Sequence, residues 1–278
     1  MKVITLGPAG TYSHRAARAV VGEDGDDEAI SFTESVTDIV ASVVEGEADR
    51  GVVPIENSIE GSVTESLDAL TDSDVAVVLE LVTPIRHALL AQSSSFSRVV
   101  SHAQALAQCR SYLEANHPDV TQEAVASTAR GVQIARDDPT AAAIAHPDTA
   151  SDTPDGALRV LAEDIQDRTS NATRFVVVAP VSERQEAGGK TSIVVYPNTN
   201  YPGLLLELLE PFAERDINLS RIESRPSGER LGDYVFHVDV AAGLYEDRTQ
   251  EAIEVVESLV GGGWVRTLGS YDTRHVLY

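Results

Sequence analysis

The chain has little sulfur, little lysine and few aromatic rings. Its one cysteine, Cys109, cannot make an internal disulfide, so no oxidised scaffold holds the fold and a cytoplasmic setting is the plain expectation. Lys2 and Lys190 are the only lysines among 21 basic residues; 44 acidic residues bring the formal net charge to −23. So negative a surface repels nucleic acid and anionic membranes and removes both as partners. No apolar run approaches the roughly 18–20 residues that span a bilayer. The opening MKVITLGPAGTYS lacks the basic region, apolar stretch and cleavage site of a signal peptide. The acidic residues run along the whole chain and are not gathered in a tail. Two readings stand: an ordinary acidic cytosolic protein, or adaptation to molar salt, where the screening length shrinks to about 3 Å and self-repulsion fades.

Several chemistries are missing as well. There is no HExxH or CxxC spacing, no calcium-loop pattern and no GxSxG elbow. Gly189-Lys190-Thr191 ends like a phosphate-binding loop, but Arg184 stands where the first glycine is needed. Gly7 and Gly10 do not form GxGxxG. Neither a metal nor a cofactor is expected. What remains is a supply of hydroxyls, amides and helix starts, which together hold a small organic anion.

The rest is ordinary globular material, 42% hydrophobic and 23% charged. Four times in the first 150 residues a short apolar run meets a small-residue loop and then a helical pattern. Lys2–Leu6 leads into GPAGTYS, Arg50–Pro54 into IENSIEG, Arg98–Val100 into SHAQALAQC, and Ala141–Ala145 into HPDTA. Strands alternating with helices predict a parallel or mixed α/β sheet with ligands beyond the strands' carboxyl ends, where all four loops fall. Residues 181–189, VSERQEAGG, read as a linker between a first region, 1–180, and a second, 190–278. In the second region the spacing predicts a strand at Thr191–Tyr196, a helix at Gly203–Glu214, strands at Ile217–Ser224 and Tyr234–Val240, a helix at Thr249–Leu259 and a strand at Trp264–Gly269. That is the ferredoxin-like βαββαβ order.

Five segments of the first region carry a resemblance: GPAGTYSHRAA (7–17), VPIENSIEGSV (53–63), SHAQALAQC (101–109), STARGVQIA (127–135) and IQDRTSNATRF (165–175). Together, and in order, they resemble the prephenate dehydratase family. YPGLLLELLEPFAERDINLSRIESRP (201–226) is similar to the ACT domain attached to those enzymes. Tyr12 stands where the family usually has phenylalanine, Ala103 where proline is common, and Leu204 where a small residue is usual, which leaves the strength and sign of effector inhibition open. The resemblance implies a two-lobed catalytic region of the type II periplasmic-binding-protein kind with an ACT domain behind it. The implied reaction is the decarboxylative dehydration of prephenate to phenylpyruvate, without a cofactor, under control by phenylalanine. A homodimer or homotetramer is implied too, because ACT ligand sites lie between protomers. Arogenate dehydration is the sibling alternative; a non-catalytic amino-acid sensor of the same fold is the alternative from another class.

The resemblance gives Thr173 the essential hydroxyl, as proton donor or as orienter of the leaving oxygen; on residue type alone, a threonine opening a strand is structural. Arg174 either clamps a substrate carboxylate or braces the hinge between lobes, and strand alternation points it away from Thr173. Asn57 and Ser58 are amide and hydroxyl donors near a helix start, with plain capping by Ser58 or Ser62 as the other reading. Thr11 and Ser13 offer the same donors in the first loop. Ser101, His102 and Gln104 open the third helix as substrate donors or as simple caps. Glu56 reads as an orienter, His87 as a buried, satisfied histidine, and Cys109 as core. In the second region, Gly203, Leu204 and Leu205 with Glu223, Ser224, Arg225 and Pro226 are the implied phenylalanine-binding motifs; a solvated turn is the other reading for the latter four.

Overall fold

The computed structural model describes residues 1–22, 27–150 and 158–276. Side-chain caps set the helix starts that follow the strands. In the first lobe, β1 (Val3–Leu6) turns into α1 (Tyr12–Val21), where the Thr11 hydroxyl accepts from the His14 N–H. β2 (Ile30–Thr33) turns into α2 (Val36–Val44), with Ser35 capping in the same way. β3 (Arg50–Asn57), a two-residue β4 (Gly61–Ser62), α3 (Thr64–Asp72) and β5 (Val75–Pro84) complete the outward run.

The chain crosses at residues 85–87 into a second lobe. There lie β6 (Ala88–Ala91), β7 (Arg98–His102), α4 (Ala103–Gln108), α5 (Arg110–Asn116), β8 (Thr121–Val125), α6 (Thr128–Asp137), β9 (Ala141–Ala145) and β10 (Arg159–Ala162). It returns through residues 163–171, and β11 (Ala172–Pro180) inserts antiparallel between β3 and β5 of the first sheet. Two crossings beside one inserted strand therefore join the lobes. The second sheet runs β10-β6-β9-β7-β8. A methyl group on Gly131 would sit 2.6 Å from the Val100 carbonyl oxygen, so α6 lies directly on β7. That close approach carries the start of α6 to the cleft between the lobes.

The second region holds β12 (Lys190–Tyr196), α7 (Leu204–Ala213), β13 (Leu219–Pro226), β14 (Tyr234–Val240), α8 (Asp247–Leu259) and β15 (Trp264–Tyr271). Its sheet order is β13-β14-β12-β15, the split βαβ arrangement. Strand alternation divides the work of the sheet. Ile193, Val195, Val238 and Val240 pack under α7 and α8 with Leu208, Phe212 and Val256. The opposite face sends Val194, Val235, Leu268 and Tyr271 into one core with Ile39, Leu67 and Val176 of the first lobe. Among the described residues, no helix is long and apolar enough to cross a membrane.

Two findings depart from the boundaries read in the sequence. The segment after β15 runs straight on as β16 (Thr273–His275), which pairs parallel with β5 and closes the first-lobe sheet as β16-β5-β11-β3-β1-β2. Thr-Arg-His carries no apolar alternation that would mark it as a strand. Residues 181–189 are also no free spacer: 181–183 form a short 3-10 turn, and Arg184 Nη2 donates to the Thr267 carbonyl at 2.9 Å.

β15 meets β5 of the first lobe closely at Gly269, where a Cβ would fall 2.1 Å from the Val77 carbonyl oxygen and 3.1 Å from the Val77 nitrogen. Both neighbours are backbone, so no rotamer change relieves the clash. Gly269→Ala is expected to destabilise the protein by about 1–3 kcal/mol, read as a lower denaturant midpoint; an unchanged midpoint contradicts the packing described.

Candidate active site

Between the lobes lies a cavity of about 400 Å³. Three helix starts reach it: Thr11, Tyr12 and Ser13 of α1 from the first lobe, and His102 with Gln104 of α4 and Ser127 with Thr128 of α6 from the second. Unpaired N–H groups give a helix start partial positive charge. Among the described lining residues there is no arginine, lysine, aspartate or glutamate. In a chain of net charge −23, a neutral cavity faced by the starts of α1 and α6 is where an anion meets the least repulsion.

The far wall is made by the ends of β3 and β11. Their register pairs Val53 with Val176 and Pro54 with Phe175, then skips Ile55 to pair Glu56 with Arg174 and Asn57 with Thr173. Ile55 is thus the extra residue of a β-bulge. Without it, Asn57 would share a face with Val53 and point away from the cavity; the bulge shifts the alternation and brings Asn57 beside Thr173. The Asn57 carbonyl oxygen accepts from the N–H groups of Ile59 at 2.9 Å and Glu60 at 3.3 Å. Its NH₂ is thereby turned toward the Thr173 oxygen, to which it donates at 3.0 Å. With that lone pair taken, the Thr173 hydroxyl is left to donate its own proton into the cavity.

Behind this pair runs a chain of amides. Asn57 Nδ2 reaches Asn171 Oδ1 at 3.3 Å, Asn171 Nδ2 donates to Gln108 Oε1 at 2.9 Å, and the same oxygen meets His87 Nε2 at 2.9 Å. Gln108 ends α4 in the second lobe and His87 lies in the outward crossing, so the network spans both lobes and both crossings. Burial holds the His87 pKa below its ordinary 6.5, with the Gln108 bond partly offsetting. The imidazole is therefore neutral at neutral pH, and its proton sits on Nε2, facing the Gln108 oxygen. Tyr12, whose hydroxyl donates to the Arg86 carbonyl at 2.6 Å, closes this end.

Of the residues picked out in the sequence, Thr173, Asn57, Thr11, Ser13, His102, Gln104 and also His87 line the cavity. Thr11 does so with its hydroxyl already committed, donating to the Pro8 carbonyl and accepting from His14. Three other candidates lie elsewhere. Ser101 is a buried residue of β7, not a helix start, and donates to the Ile144 carbonyl at 2.6 Å. Ser58 accepts from the Ala172 N–H and donates to the Ser170 carbonyl, bracing the return crossing. It is not a cap; Val63 precedes α3 without any side-chain cap. Arg174 points to the opposite side of β11, as alternation requires, where it meets groups of the first lobe and the second region and, among the described residues, none of the second lobe. Its guanidinium meets Glu80, lies 2.6 Å from Asp239 of β14 and 3.4 Å from Glu56. Cys109 is in the second-lobe core, its thiol pushed up to about 12 by burial.

The second-region motifs are placed differently from a solvated turn. Glu223 to Pro226 lie in β13, where Glu223 accepts from the Ser62 hydroxyl at 2.9 Å and Arg225 pairs with Asp68 of α3 at 3.0 Å; Ser224 and Pro226 face outward. Gly203 caps α7 with φ 98°, a left-handed conformation that suits glycine. Leu204 packs into the core under the helices, while Leu205 is exposed. The cavity residues that sequence reading missed are Tyr12, Gln108, Ser127 and Thr128. A serine just before an apolar helical run, at 127, was the available signal.

The profile of the family described as prephenate dehydratase matches residues 3–183, and the ACT domain profile matches residues 197–258. A bifunctional chorismate mutase/prephenate dehydratase of Aquifex aeolicus is 40% identical over 274 residues, spanning 98% of this chain and 73% of the relative. A prephenate dehydratase of Methanocaldococcus jannaschii is 38% identical over 263 residues, 92% of each chain. The crystal structure of an Arthrobacter aurescens prephenate dehydratase in complex with L-Phe superposes with a TM-score of 0.86 at 35% identity, covering 98% of this chain and 90% of that one.

A nitrogen-15 NMR titration is expected to show His87 protonating only below pH 6.5 with Nε2 as the protonated nitrogen above it. A midpoint above that value removes the buried, neutral imidazole from the site.

Proposed function

The chain belongs to the prephenate dehydratase family, and from that premise we propose that the interlobe cavity is where it converts prephenate to phenylpyruvate. The observation that carries the reading is the Asn57–Thr173 pair, which aims a hydroxyl proton into a neutral cavity faced by the starts of α1 and α6. Prephenate carries on one ring carbon a carboxylate and a pyruvyl side chain that ends in a second carboxylate, with a hydroxyl on the carbon opposite. We assign the carboxylates to the helix starts and the ring hydroxyl to Thr173. As CO₂ leaves, the electron pair of the broken C–C bond moves through the ring and expels the hydroxide, which departs as water once protonated. Aromatisation supplies the driving force.

The protein's part is small and specific. Lobe closure holds the ring in place and sheds water. The Thr173 hydroxyl donates to the departing oxygen where negative charge develops, and Asn57 keeps it in that orientation. A threonine hydroxyl is too weak an acid to be left ionised, so the proton of the product water comes finally from solvent. Gln104, Ser13 and Thr128 are further candidates for carboxylate contacts from the lining.

Phenylalanine is the proposed effector, in keeping with the L-Phe complex of the Arthrobacter protein, and the Gly203–Leu205 and Glu223–Pro226 motifs are the residues assigned to hold it. The catalytic region is taken as 1–180 and the regulatory one as 190–278, with β16 shared. Pairing of two chains is assigned to the free edge of β13, where Ile222 is exposed, together with Leu205 and Leu206 of α7. A cytoplasmic protein adapted to high salt fits the charge.

Phenylpyruvate formed from prephenate is followed by its ultraviolet absorbance in molar salt, phenylalanine formed from arogenate is quantified separately, and the two substrates are compared by kcat/KM. Thr173→Val, which keeps the shape and drops the hydroxyl, is expected to lower kcat by about 10²–10⁴-fold with KM little changed. Equal turnover by the variant takes Thr173 out of the reaction. In circular dichroism, the helical signal is expected to fall as salt is diluted from about 4 M to 0.1 M, because screening of the net charge is lost. A signal that holds in dilute buffer ends the high-salt reading.

A further inference from the structure

Thr173 and Arg174 are neighbours in the chain, yet they serve opposite faces of the same sheet. Thr173 meets the cavity. Arg174 enters a buried charge cluster between the first lobe and the second region. The cluster holds three cations, Arg174, Lys190 and Arg221, and three carboxylates, Glu56, Glu80 and Asp239. Glu80 and Asp239 are 2% and 1% exposed, so neither has solvent to fall back on. Burial pushes both carboxyls up, but the adjacent cations win: Arg174 and Lys190 hold Glu80 below its ordinary range, and Arg174 with Arg221 holds Asp239 at about 2. Arg174 Nη2 also reaches the Tyr271 hydroxyl at 3.4 Å, and Ser192 donates to Asp239.

Position along β11 gives the cluster its leverage. Residues 163–171 are the return crossing, and β11 begins at Ala172. Arg174 is thus the first side chain after the crossing to be fixed by ionised groups, one residue past the reacting hydroxyl. Its partners are divided: Glu56 and Glu80 belong to the first lobe, Asp239 to β14 of the second region. The Arg221 that shares Asp239 sits on β13 in the same inward row as Glu223 and Arg225, which bond to Ser62 and Asp68. A shift of β13 or β14 against the lobe therefore pulls on Arg174, and through one peptide unit on Thr173.

We propose that Arg174 is the positioning residue for Thr173, and that Asp239, by clamping Arg174 from the second region, is the group through which effector occupancy reaches the cavity. This rests on the dehydratase reading for its rate effects, but not for the structural link itself. Asp239→Asn keeps the shape and removes the charge. With carbon-13 methyl-labelled threonine, in molar salt and without ligand, the Thr173 methyl signal (assigned by its loss in Thr173→Val) is expected to move in Asp239→Asn. It is expected to stay in place in Asp68→Asn, which breaks the exposed Arg225 pair at the same interface. Asp239→Asn is further expected to lower kcat by about tenfold with KM held within about twofold, the sign of a misplaced reacting group, and to flatten the response of kcat to phenylalanine. Should Asp239→Asn not fold, Glu80→Gln strips the same guanidinium from the lobe side and is expected to move the same signal. A folded variant with an unmoved Thr173 methyl overturns the proposal, as does an equal shift in Asp68→Asn. If the wild type leaves prephenate unchanged, the dehydratase reading fails while the methyl comparison still decides whether Asp239 positions Thr173.

Discussion

The start of β11 is fixed from both sides at once, and the working of the molecule depends on that constraint. Successive residues of a strand must face opposite ways. Thr173 can look into the cavity only while Arg174 looks toward the second region, and the bulge at Ile55 supplies the matching shift on β3 that delivers Asn57. The hydroxyl's orientation follows from backbone register more than from any local choice of rotamer. A neutral amide does the final aiming, so no charged side chain has to enter the cavity to orient its donor.

The cavity's neutrality and the buried cluster's charge are complementary solutions to a strongly acidic chain. Where a dianion must enter, the lining offers N–H groups and hydroxyls without a carboxylate to repel it. Where carboxylates are buried, they are matched by arginine and by Lys190, one of the two lysines the chain has. Such a matched cluster adds little net stability, because desolvation offsets attraction. Its value is geometric. The fork of Arg174 accepts few arrangements, so the sheet faces it joins can sit in few relative positions.

Much of the architecture was legible because it follows from local patterns. Apolar runs ending in small-residue loops gave the strand-to-helix turns, and the period change after Pro180 gave the second region. Thr173 was legible as the reacting hydroxyl only through resemblance to a family, since a lone threonine at a strand start is normally structural; Asn57 was read as a donor near a helix start, and its pairing with Thr173 was not read. The contributions of Ser58 and Ser101 were misread for one physical reason. Each is a small group one position from a cavity-facing neighbour, and a slip of a single residue in a strand or turn reverses its direction. The Ile55 bulge could not be read at all, because register is a property of two strands and one sequence shows them separately. His87 was read as buried and satisfied; it is both, and it lines the cavity too.

The strand after β15 gives the catalytic lobe an unusual dependence on distant chain. Thr273 pairs with Glu80 across 193 positions, so the first sheet is assembled from segments scattered over almost the full length. Sheets closed by such remote pairings order late, because a long loop must be immobilised before the contact rewards it. Recombination that exchanged the second region at residues 181–189 would also carry away a strand of the first lobe. In this chain the two parts are joined as dovetailed timbers are, and neither comes away without a piece of the other.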